Sequence, residues 1–295
     1  MTKLKDLRKI MQEQGLDAYI IPSNDEFMNE YVPVYSRRLE WLTGFTGSAG
    51  MAVILHDKAI FFTDGRYTLQ ASKQLPEGEY EILNTANVKP TDWLKDNLKE
   101  GQVLGLNPVL FSKDAVAKYQ AIVLLSLRGA GCKERDVAIH NSNSQSLCST
   151  NRNDSILDLI DQIWINKPQK PVSQIHIHPV EYTGKSSSNK IQDVLKNMEG
   201  QGADTLLLTA PDSICWLLNI RGRDVPNTPL VLARFLLNID GSGVLFVDVK
   251  IQESGNRHGP SLTQSNYRAN QSGSPYNFAT QNSGDDNSYF LDSTI

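Results

Sequence analysis

The spacing of apolar and polar positions predicts alternating helices and strands over residues 1–122. Apolar residues between positions 4 and 11 fall on one face of a helix, and Gly15 supplies its stop. Short apolar runs predict strands at 18–21, 51–55, 59–63 and 103–106. The two central runs are separated by His56-Asp57-Lys58, which indicates a hairpin. Helices are predicted at 67–75, at about 91–98 after a Thr91 cap, and at 112–122 after a Ser112 cap.

This pattern breaks at residues 126–153, which have neither helical nor strand periodicity and are crowded with Ser, Asn and Gly. A structureless stretch of that length is improbable inside a compact domain. We therefore interpret residues 123–153 as a linker or an insertion. Ordered patterning resumes at Asp154.

An internal repeat is the most informative feature of the organisation. MQEQGLDAYIIPSND at Met11–Asp25 matches MEGQGADTLLLTAPD at Met198–Asp212, and AVILHDKAIFFTD matches FLLNIDGSGVLFVD. Between these blocks, EWLTGFTG matches CWLLNIRG and places Trp41 and Trp216 at equivalent positions, where we expect both to be buried. Three blocks in the same order indicate two copies of one α/β domain, at residues 1–122 and 154–251, each a mixed sheet flanked by helices.

The last segment, residues 252–295, is rich in Ser, Asn, Gly and Gln and poor in Leu, Ile and Val. Such a composition buries too little apolar surface to offset the entropy of ordering the chain. We expect a low-complexity tail that is disordered or does not belong to the fold.

Composition and charge exclude several classes of function. The net charge of −4 gives no support for nucleic-acid binding. No apolar run approaches the roughly eighteen residues of a membrane span, and the N-terminus has no signal-peptide core. The three cysteines are too few and too scattered for a disulfide framework or a zinc site. A cytoplasmic protein is the expectation.

Arg66 is the candidate binding residue. It lies in Thr63-Asp64-Gly65-Arg66-Tyr67, where the second hairpin strand ends and Asp-Gly predicts a turn. One interpretation is a solvated arginine at a strand exit. The other is a guanidinium held outward by a rigid turn, where it can bind a carboxylate or a peptide carbonyl.

Other patterns favour structural interpretations. The loop Gly44–Gly50 lacks the Lys-Ser/Thr of a phosphate loop, and its small residues suit a strand that begins against a packed neighbour. His176 and His178 share one face of a possible strand, but no nearby Cys or carboxylate completes a metal site. No Ser or Cys lies in a nucleophile-elbow context. The residues therefore offer no catalytic group and no metal site.

Three blocks of the first half, AYIIPSNDEFMNEY, RRLEWLTGFTGSAG and FFTDGRYTLQASKQL, resemble the N-terminal creatinase-like domain of Xaa-Pro aminopeptidases, also called aminopeptidase P, of the long three-domain type. In the second half LIDQIWINKPQKP, EYTGKSSSNKIQDVLKNM and WLLNIRGRDVPNTP resemble the family's second domain. The resemblance covers residues 1–122 and 154–251, and it accounts for the internal repeat.

The resemblance implies a metallopeptidase family of the M24 type, whose members hydrolyse the bond between an N-terminal residue and a following proline. Two divalent metal ions, usually manganese, activate the water, and all their ligands lie in a C-terminal catalytic domain that has no match in this chain. The arginine of the family's TDGRY block helps to bind substrate, and Arg66 stands in its place. Phe27 stands where relatives usually have His, so no role is carried over to it.

We therefore expect the truncated N-terminal part of a Xaa-Pro aminopeptidase, inactive alone, with Arg66 as its substrate-binding residue and no cofactor of its own. The alternative is a non-catalytic module that dimerises, or that positions substrate for a separate catalytic chain. The expected ligand is a peptide with proline at its second position.

Overall fold

The computed structural model describes residues 2–99, 101–127, 158–250 and 262–268. The chain divides by its internal contacts into two compact units, Met1–Gln169 and Lys170–Ile295.

The first unit is a five-stranded sheet with helices on both faces. Its strands are β1 (Ala18–Pro22), β2 (Gly50–Leu55), β3 (Ala59–Thr63), β4 (Glu81–Asn84) and β5 (Leu104–Leu106). Its helices are α1 (Lys3–Glu13), α2 (Arg38–Thr43), α3 (Thr68–Gln74), α4 (Pro90–Asn97), α5 (Lys113–Leu127) and α6 (Leu159–Ile163). The strand order is β4-β3-β2-β1-β5, in which β3–β4 and β1–β5 are parallel and the other two pairs antiparallel. The predicted mixed α/β sheet is confirmed.

Each face of this sheet covers its own apolar cluster. Tyr19 and Ile21 of β1 point to the cluster that contains side chains of α1, α2 and α6. Ala18 and Ile20 point to the other cluster, which contains Trp93 and Leu94 of α4 together with side chains of α5. The strict alternation follows from the two-residue period of a strand, and burial on both faces explains why β1 is a continuous apolar run.

The hairpin is confirmed, because β2 and β3 pair antiparallel. The loop before it is packed as its small residues predicted. A Cβ at Gly47 would lie 2.3 Å from the Phe45 ring, and one at Gly50 would lie 2.9 Å from the Phe61 ring. Neither glycine has room for a side chain, so both serve close packing.

Some element boundaries differ from the predictions. The fourth helix begins at Pro90 with Lys89 as its N-cap, so Thr91 is not the cap. Ser112 does cap α5, since its Oγ accepts from the amide N–H of Ala115 at 3.2 Å, but the helix continues five residues beyond the predicted end at 122. Strand β4 was not predicted, because EILN carries only two apolar residues and lies at the sheet edge.

The second unit has a four-stranded sheet and a short two-stranded one. Its helices are α7 (Val180–Thr183), α8 (Ser187–Gln201) and α9 (Pro211–Leu218). Its strands are β6 (His176–Ile177), β7 (Thr205–Leu208), β8 (Ile220–Arg221), β9 (Ala233–Asn238), β10 (Gly243–Lys250) and β11 (Leu262–Arg268). The larger sheet has the order β11-β10-β9-β7 with antiparallel pairing throughout these strands.

The internal repeat is visible in the backbone. Gly15 and Gly202, at matching positions after α1 and α8, both have left-handed φ angles, +67° and +64°. The helices that carry Trp41 and Trp216 each end three residues later in a left-handed residue, Gly44 and Asn219 respectively. In each copy three antiparallel strands pair in the same order, β1-β2-β3 and β7-β9-β10, and the tryptophan-bearing helix lies between the first and second of them in the chain. Two related α/β domains are therefore present.

The two equivalent tryptophans have different surroundings. Trp41 is half-buried and stacks on Trp164, with ring centroids 5.5 Å apart. Trp216 is 56% exposed, so the expectation that both would be buried is wrong for this residue. Sequence equivalence fixes the position on the helix, whereas burial depends on what packs over that helix.

The segment Asp158–Gln169 belongs to the first unit, although the predicted second domain begins at residue 154. Leu159, Ile160 and Trp164 are buried in the cluster that α1 and α2 also line. Their apolar pattern predicted an ordered segment and could not indicate which core it fills.

Residues 128–157, which include most of the predicted linker or insertion, lie outside the described residues. So does most of the predicted tail, apart from β11 within it, which pairs with β10 in the second sheet.

Candidate functional site

The candidate site lies at the end of the first sheet where most of its strands have their carboxyl ends. Strands β1, β3, β4 and β5 run in the same direction, so their carboxyl ends lie side by side there. Loops at the carboxyl edge of such sheets commonly bind ligands. Arg66 lies here, in the turn between β3 and α3.

Asp64 holds the Arg66 side chain in place. One carboxylate oxygen of Asp64 accepts from the backbone N–H of Arg66 at 2.9 Å and from its Nε at 3.1 Å. The other oxygen accepts from Nη2 at 2.8 Å. The fork geometry orients the guanidinium, and the turn that both residues share keeps the pair rigid. The Arg66 guanidinium is therefore oriented by Asp64.

The guanidinium also has an open side. The Arg66 side chain is 66% exposed, and its Cζ lies 5.2 Å from the centre of the Tyr67 ring. Within the described residues, no hydrogen bond from its Nη1 is found. An anionic or carbonyl oxygen can therefore approach the guanidinium without displacing Asp64.

Tyr67 connects this turn to two other loops. Its hydroxyl lies 2.9 Å from Ser48 Oγ, which in turn donates to Glu30 Oε1 at 3.1 Å. Its ring meets Phe45 edge-on at 5.8 Å. Sequence analysis missed Ser48 and Glu30, because they lie far along the chain from Arg66 and no spacing signals their proximity.

Arg66 lowers the pKa of Asp64 below its ordinary value, chiefly through the side-chain hydrogen bonds. An Arg66→Gln substitution removes the charge, so we expect the pKa of Asp64 to rise toward the ordinary value of about 3.9. A carbon-13 NMR titration of the Asp64 carboxyl measures this. As a control, Lys73→Gln on the next helix should leave that pKa unchanged. An unchanged value in the Arg66 variant would contradict the ion pair.

Phe27 lies in the loop that follows β1. It is buried, and its backbone N–H donates to Asp25 Oδ1 at 3.0 Å. The same oxygen accepts from the N–H of Asn29, so Asp25 organises the loop that follows β1. Burial raises the pKa of Asp25 above its ordinary value.

Metal binding finds no support in the part of the chain that the structure describes. There, no group of three or more His, Cys, Asp or Glu side chains is placed to hold an ion. His176 is exposed on β6, whereas His178 stacks on Tyr182 with ring centroids 5.8 Å apart. The donors present do not fit a pair of divalent ions, which needs several carboxylates.

Cys215 is a buried thiol of the second core, and burial raises its pKa above the ordinary value. A thiol in such surroundings is unreactive. Cys132 and Cys148 lie outside the described residues.

The second copy does not repeat the arginine site. Asp248 stands at the position equivalent to Asp64, but it forms an ion pair with Lys170 at 2.8 Å. The position equivalent to Arg66 is Lys250, in β10. The two copies therefore differ at the one position that carries the candidate function.

None of the helices in the described residues is both long and apolar enough to cross a membrane.

Comparison with known protein families finds two matches. Two family models, both for the creatinase/prolidase N-terminal domain, match residues 3–129 and 166–293. The second match begins close to the division between the two units and extends into the segment predicted as a tail.

Individual relatives are similar over most of the chain. Aminopeptidase P2 of Arabidopsis thaliana is 34% identical over 252 residues, which is 83% of this chain and 32% of that protein. The probable Xaa-Pro aminopeptidase P of Aspergillus niger is 33% identical over 80% of this chain and 35% of its own length. The chain thus spans about a third of these curated relatives.

A solved structure is similar as well. The crystal structure of an X-prolyl aminopeptidase from Caenorhabditis elegans, described as a cytosolic enzyme with a di-nuclear active site, superposes with a TM-score of 0.70 at 26% identity. The match covers 84% of this chain and 39% of that one.

Proposed function

The chain belongs to the creatinase/prolidase N-terminal domain family in both of its halves, and from this premise we propose that it is the non-catalytic N-terminal part of a Xaa-Pro aminopeptidase. In this role its first domain offers Arg66 to a peptide substrate with proline at the second position. The observation that carries the proposal is the Arg66 guanidinium, which Asp64 orients while one side remains open.

The chemistry itself belongs to residues other than those described. The relative from Caenorhabditis elegans is described as an enzyme with a di-nuclear active site. A pair of metal ions, when bound at such a site, would supply an activated water and polarise a carbonyl. In these two domains the contribution is binding. The open side of the guanidinium donates hydrogen bonds to a substrate carboxylate or carbonyl oxygen, which fixes the register of the peptide.

A cytoplasmic location is part of the proposal. It is supported by the similarity to an enzyme described as cytosolic.

A second candidate function is that of a dimerising or substrate-positioning module for a separate catalytic chain. The same open arginine supports this function, which differs only in where the metal site is encoded.

The first test measures turnover by these 295 residues alone. We expect no release of the N-terminal residue from an Xaa-Pro-Yaa tripeptide, with or without added manganese, because an activated water and the groups that hold it are needed for hydrolysis. Manganese-dependent activity that persists through successive purification steps and co-elutes with the chain would contradict the proposal.

The second test joins these domains to a catalytic domain. These domains replace the matching region of the Caenorhabditis elegans enzyme, and kcat/KM is measured for the tripeptide. We expect Arg66→Ala to lower kcat/KM about 10- to 100-fold, which corresponds to the loss of one charge-assisted hydrogen bond. Lys73→Ala, a charge removal on the neighbouring helix α3, is the matched control. If both variants keep full activity, Arg66 does not bind substrate.

Mixing separates the two candidate functions. If the separately produced C-terminal part of that enzyme regains activity on addition of this chain, the module function is favoured. If only the covalent fusion is active, the chain acts as one part of a larger enzyme.

A further inference from the structure

A cavity on the surface of the first unit is lined by cationic side chains. It opens beside the turn between β2 and β3, which lies at the end of the sheet opposite to Arg66, because β3 runs from this turn toward Arg66. Its volume is about 420 Å³, within the range of small-molecule sites. The lining residues, called the α1 pocket below, are Lys5, Arg8, Lys9 and Gln12 of α1 and His56 of the turn.

Arg8 gives the α1 pocket a fixed hydrogen-bonding group. Its Nε donates to the carbonyl oxygen of Leu55 at 2.8 Å, and this contact joins α1 to the end of β2. Within the described residues, neither Nη of Arg8 takes part in a hydrogen bond or an ion pair. The nitrogens of a guanidinium form a fork that matches the oxygens of a phosphate or carboxylate group. Arg8 is therefore held in place while both of its Nη groups stay available to an anion.

The two lysines add positive charge that the surrounding side chains do not neutralise. No ion pair of Lys5 is found in the part of the chain that the structure describes. Lys9 has one ion pair, with Glu13, which is long at 3.8 Å and exposed to solvent. Lys5, Arg8 and Lys9 are spaced three and four residues apart, at which spacing like charges on a helix repel and destabilise it. An anion bound between them removes this repulsion.

The internal repeat shows that the fold does not require these cations. When Met11 is aligned with Met198, the buried Leu7 corresponds to the apolar Val194, so the inner faces of α1 and α8 agree. The outer faces differ at three of the four helical positions of the α1 pocket. The corresponding pairs are Lys5 and Gln192, Arg8 and Leu195, and Gln12 and Glu199. Because the second copy forms its helix without the cationic cluster, the cluster in the first copy has a role other than folding.

We propose that the α1 pocket binds a small phosphate compound that carries two or more negative charges. Three adjacent cations favour a multivalent anion, and the arginine fork together with lysine ammonium groups is a common set of phosphate donors. The amide of Gln12 and the ring of His56 supply further N–H donors. A nucleic acid is disfavoured, since the net charge of the chain is −4 and the cluster occupies one helix and one turn.

The first measurement is isothermal titration calorimetry of the full chain with sodium pyrophosphate. Sodium sulfate and sodium citrate are the comparison anions, and ionic strength is held at about 0.15 M so that screening is the same throughout. We expect saturable binding of pyrophosphate, with a dissociation constant about tenfold lower than that of sulfate or citrate. The reason is that each phosphate group offers three oxygens, so one group accepts from Arg8 and from a lysine together.

Two variants test the lysines. Lys5→Gln and Lys9→Gln each remove one cation from an exposed position, which leaves the core of α1 unchanged. We expect each variant to raise the dissociation constant of pyrophosphate about tenfold, through the loss of one charge-assisted contact. Lys196→Gln is the matched control, because Lys196 is exposed on α8 at the position equivalent to Lys9. It should leave binding unchanged.

A second measurement locates the bound anion. Lysines are acetylated with an N-hydroxysuccinimide ester, and the rate at each lysine is followed by peptide mass spectrometry. Saturating pyrophosphate should slow the acetylation of Lys5 and Lys9 about fivefold and leave that of Lys196 unchanged. Arg66→Gln separates this pocket from the candidate site, and this variant should bind pyrophosphate as the parent chain does.

Four results would overturn the proposal. Heats that do not saturate, or that are the same for pyrophosphate and sulfate, would mean that the anions only screen surface charge. Citrate binding as tight as that of pyrophosphate would mean that the α1 pocket does not recognise phosphate groups. Unchanged affinity in both the Lys5 and the Lys9 variant would exclude the pocket as the site. Loss of binding in Arg66→Gln would assign the anion to the other end of the sheet.

Discussion

Replacing Arg38 by methionine should destabilise the first domain by about 3–5 kcal/mol, because it breaks a buried ion-pair network by removing one partner. The Arg38 side chain is only 8% exposed and forms a fork with Asp161, at 2.9 Å from Nε and 2.8 Å from Nη2. Its Nε also lies 3.8 Å from Asp158. Methionine keeps much of the volume but leaves Asp158 without its cation and Asp161 with Lys167 alone, whose Nζ lies 2.7 Å from Oδ2.

The effect should depend on pH in a definite direction. Burial raises the pKa of Asp158, and the nearby Arg38 charge opposes that rise. Without Arg38, the pKa of Asp158 in the folded state moves further above its unfolded value, so the native state binds more protons than the unfolded state. Stability of the variant is then retained at low pH and lost as pH rises, and the deficit should be smaller near about pH 5 than near about pH 7.

Urea unfolding of the full chain, followed by tryptophan fluorescence, measures the change, because Trp41, Trp93 and Trp164 lie in the first unit. Arg37→Met is the matched control, since Arg37 forms a half-exposed ion pair with Glu40 at 3.4 Å. It should cost no more than about 1 kcal/mol. Adding Asp158→Asn and Asp161→Asn to Arg38→Met should restore part of the stability. Equal effects of the Arg37 and Arg38 variants would show that the buried network is unimportant.

The sequence predicted the central strands of the first domain, but it did not predict that the segment with Asp158 and Asp161 belongs to that domain. Periodicity located β1, β2 and β3, because a strand with both faces buried is an unbroken apolar run bounded by turn residues. It could not assign Asp158–Gln169 to the first domain, since the assignment depends on Arg38, 123 residues from Asp161 along the chain. Pairing over such a distance leaves no trace in local composition.

At the candidate site, too, some contacts could be predicted from the sequence and others could not. Asp64 and Arg66 lie in one turn, so their pairing follows from a local pattern, and the turn was identified from Asp-Gly. The contact of Tyr67 with Ser48 depends on the loop before β2, which folds against the Phe45 ring. Local chemistry was therefore predictable, whereas the surroundings that orient it required the tertiary structure.

Equivalent positions in the two copies of the repeat have different roles. Asp64 and Asp248 occupy the same place in the two copies, yet one orients an arginine and the other pairs with Lys170. Likewise Leu207 and Ile20 are equivalent, but only Ile20 is buried by helices. A duplicated fold preserves backbone positions, and what packs on each copy determines the role of the side chains there.

The tryptophans give the second large effect. Trp164→Ala should cost about 3–5 kcal/mol, because the side chain is 9% exposed and its removal leaves a cavity beneath Trp41. The loss includes the stacked ring contact, worth about 0.5–1.5 kcal/mol beyond the buried area. The stacking also fixes Trp164 to the first domain, so the variant should loosen the attachment of α6 to α2.

Trp216→Ala is the matched comparison, since Trp216 is equivalent to Trp41 in the repeat but is 56% exposed. The substitution removes the contact between Trp216 and Lys190, whose ammonium lies 4.4 Å from the centre of the Trp216 ring. The Trp216 ring is exposed but Lys190 is only 4% exposed, so the cation–π contact contributes about 1–2 kcal/mol and this variant should lose no more than about 2 kcal/mol. Urea unfolding of both variants, followed by far-UV circular dichroism, measures the difference without relying on the tryptophans themselves. If Trp216→Ala proved as destabilising as Trp164→Ala, a surface outside the described residues would cover Trp216. If Trp164→Ala lowered the free energy of unfolding by less than about 1 kcal/mol, Asp158–Gln169 would not be part of the first core.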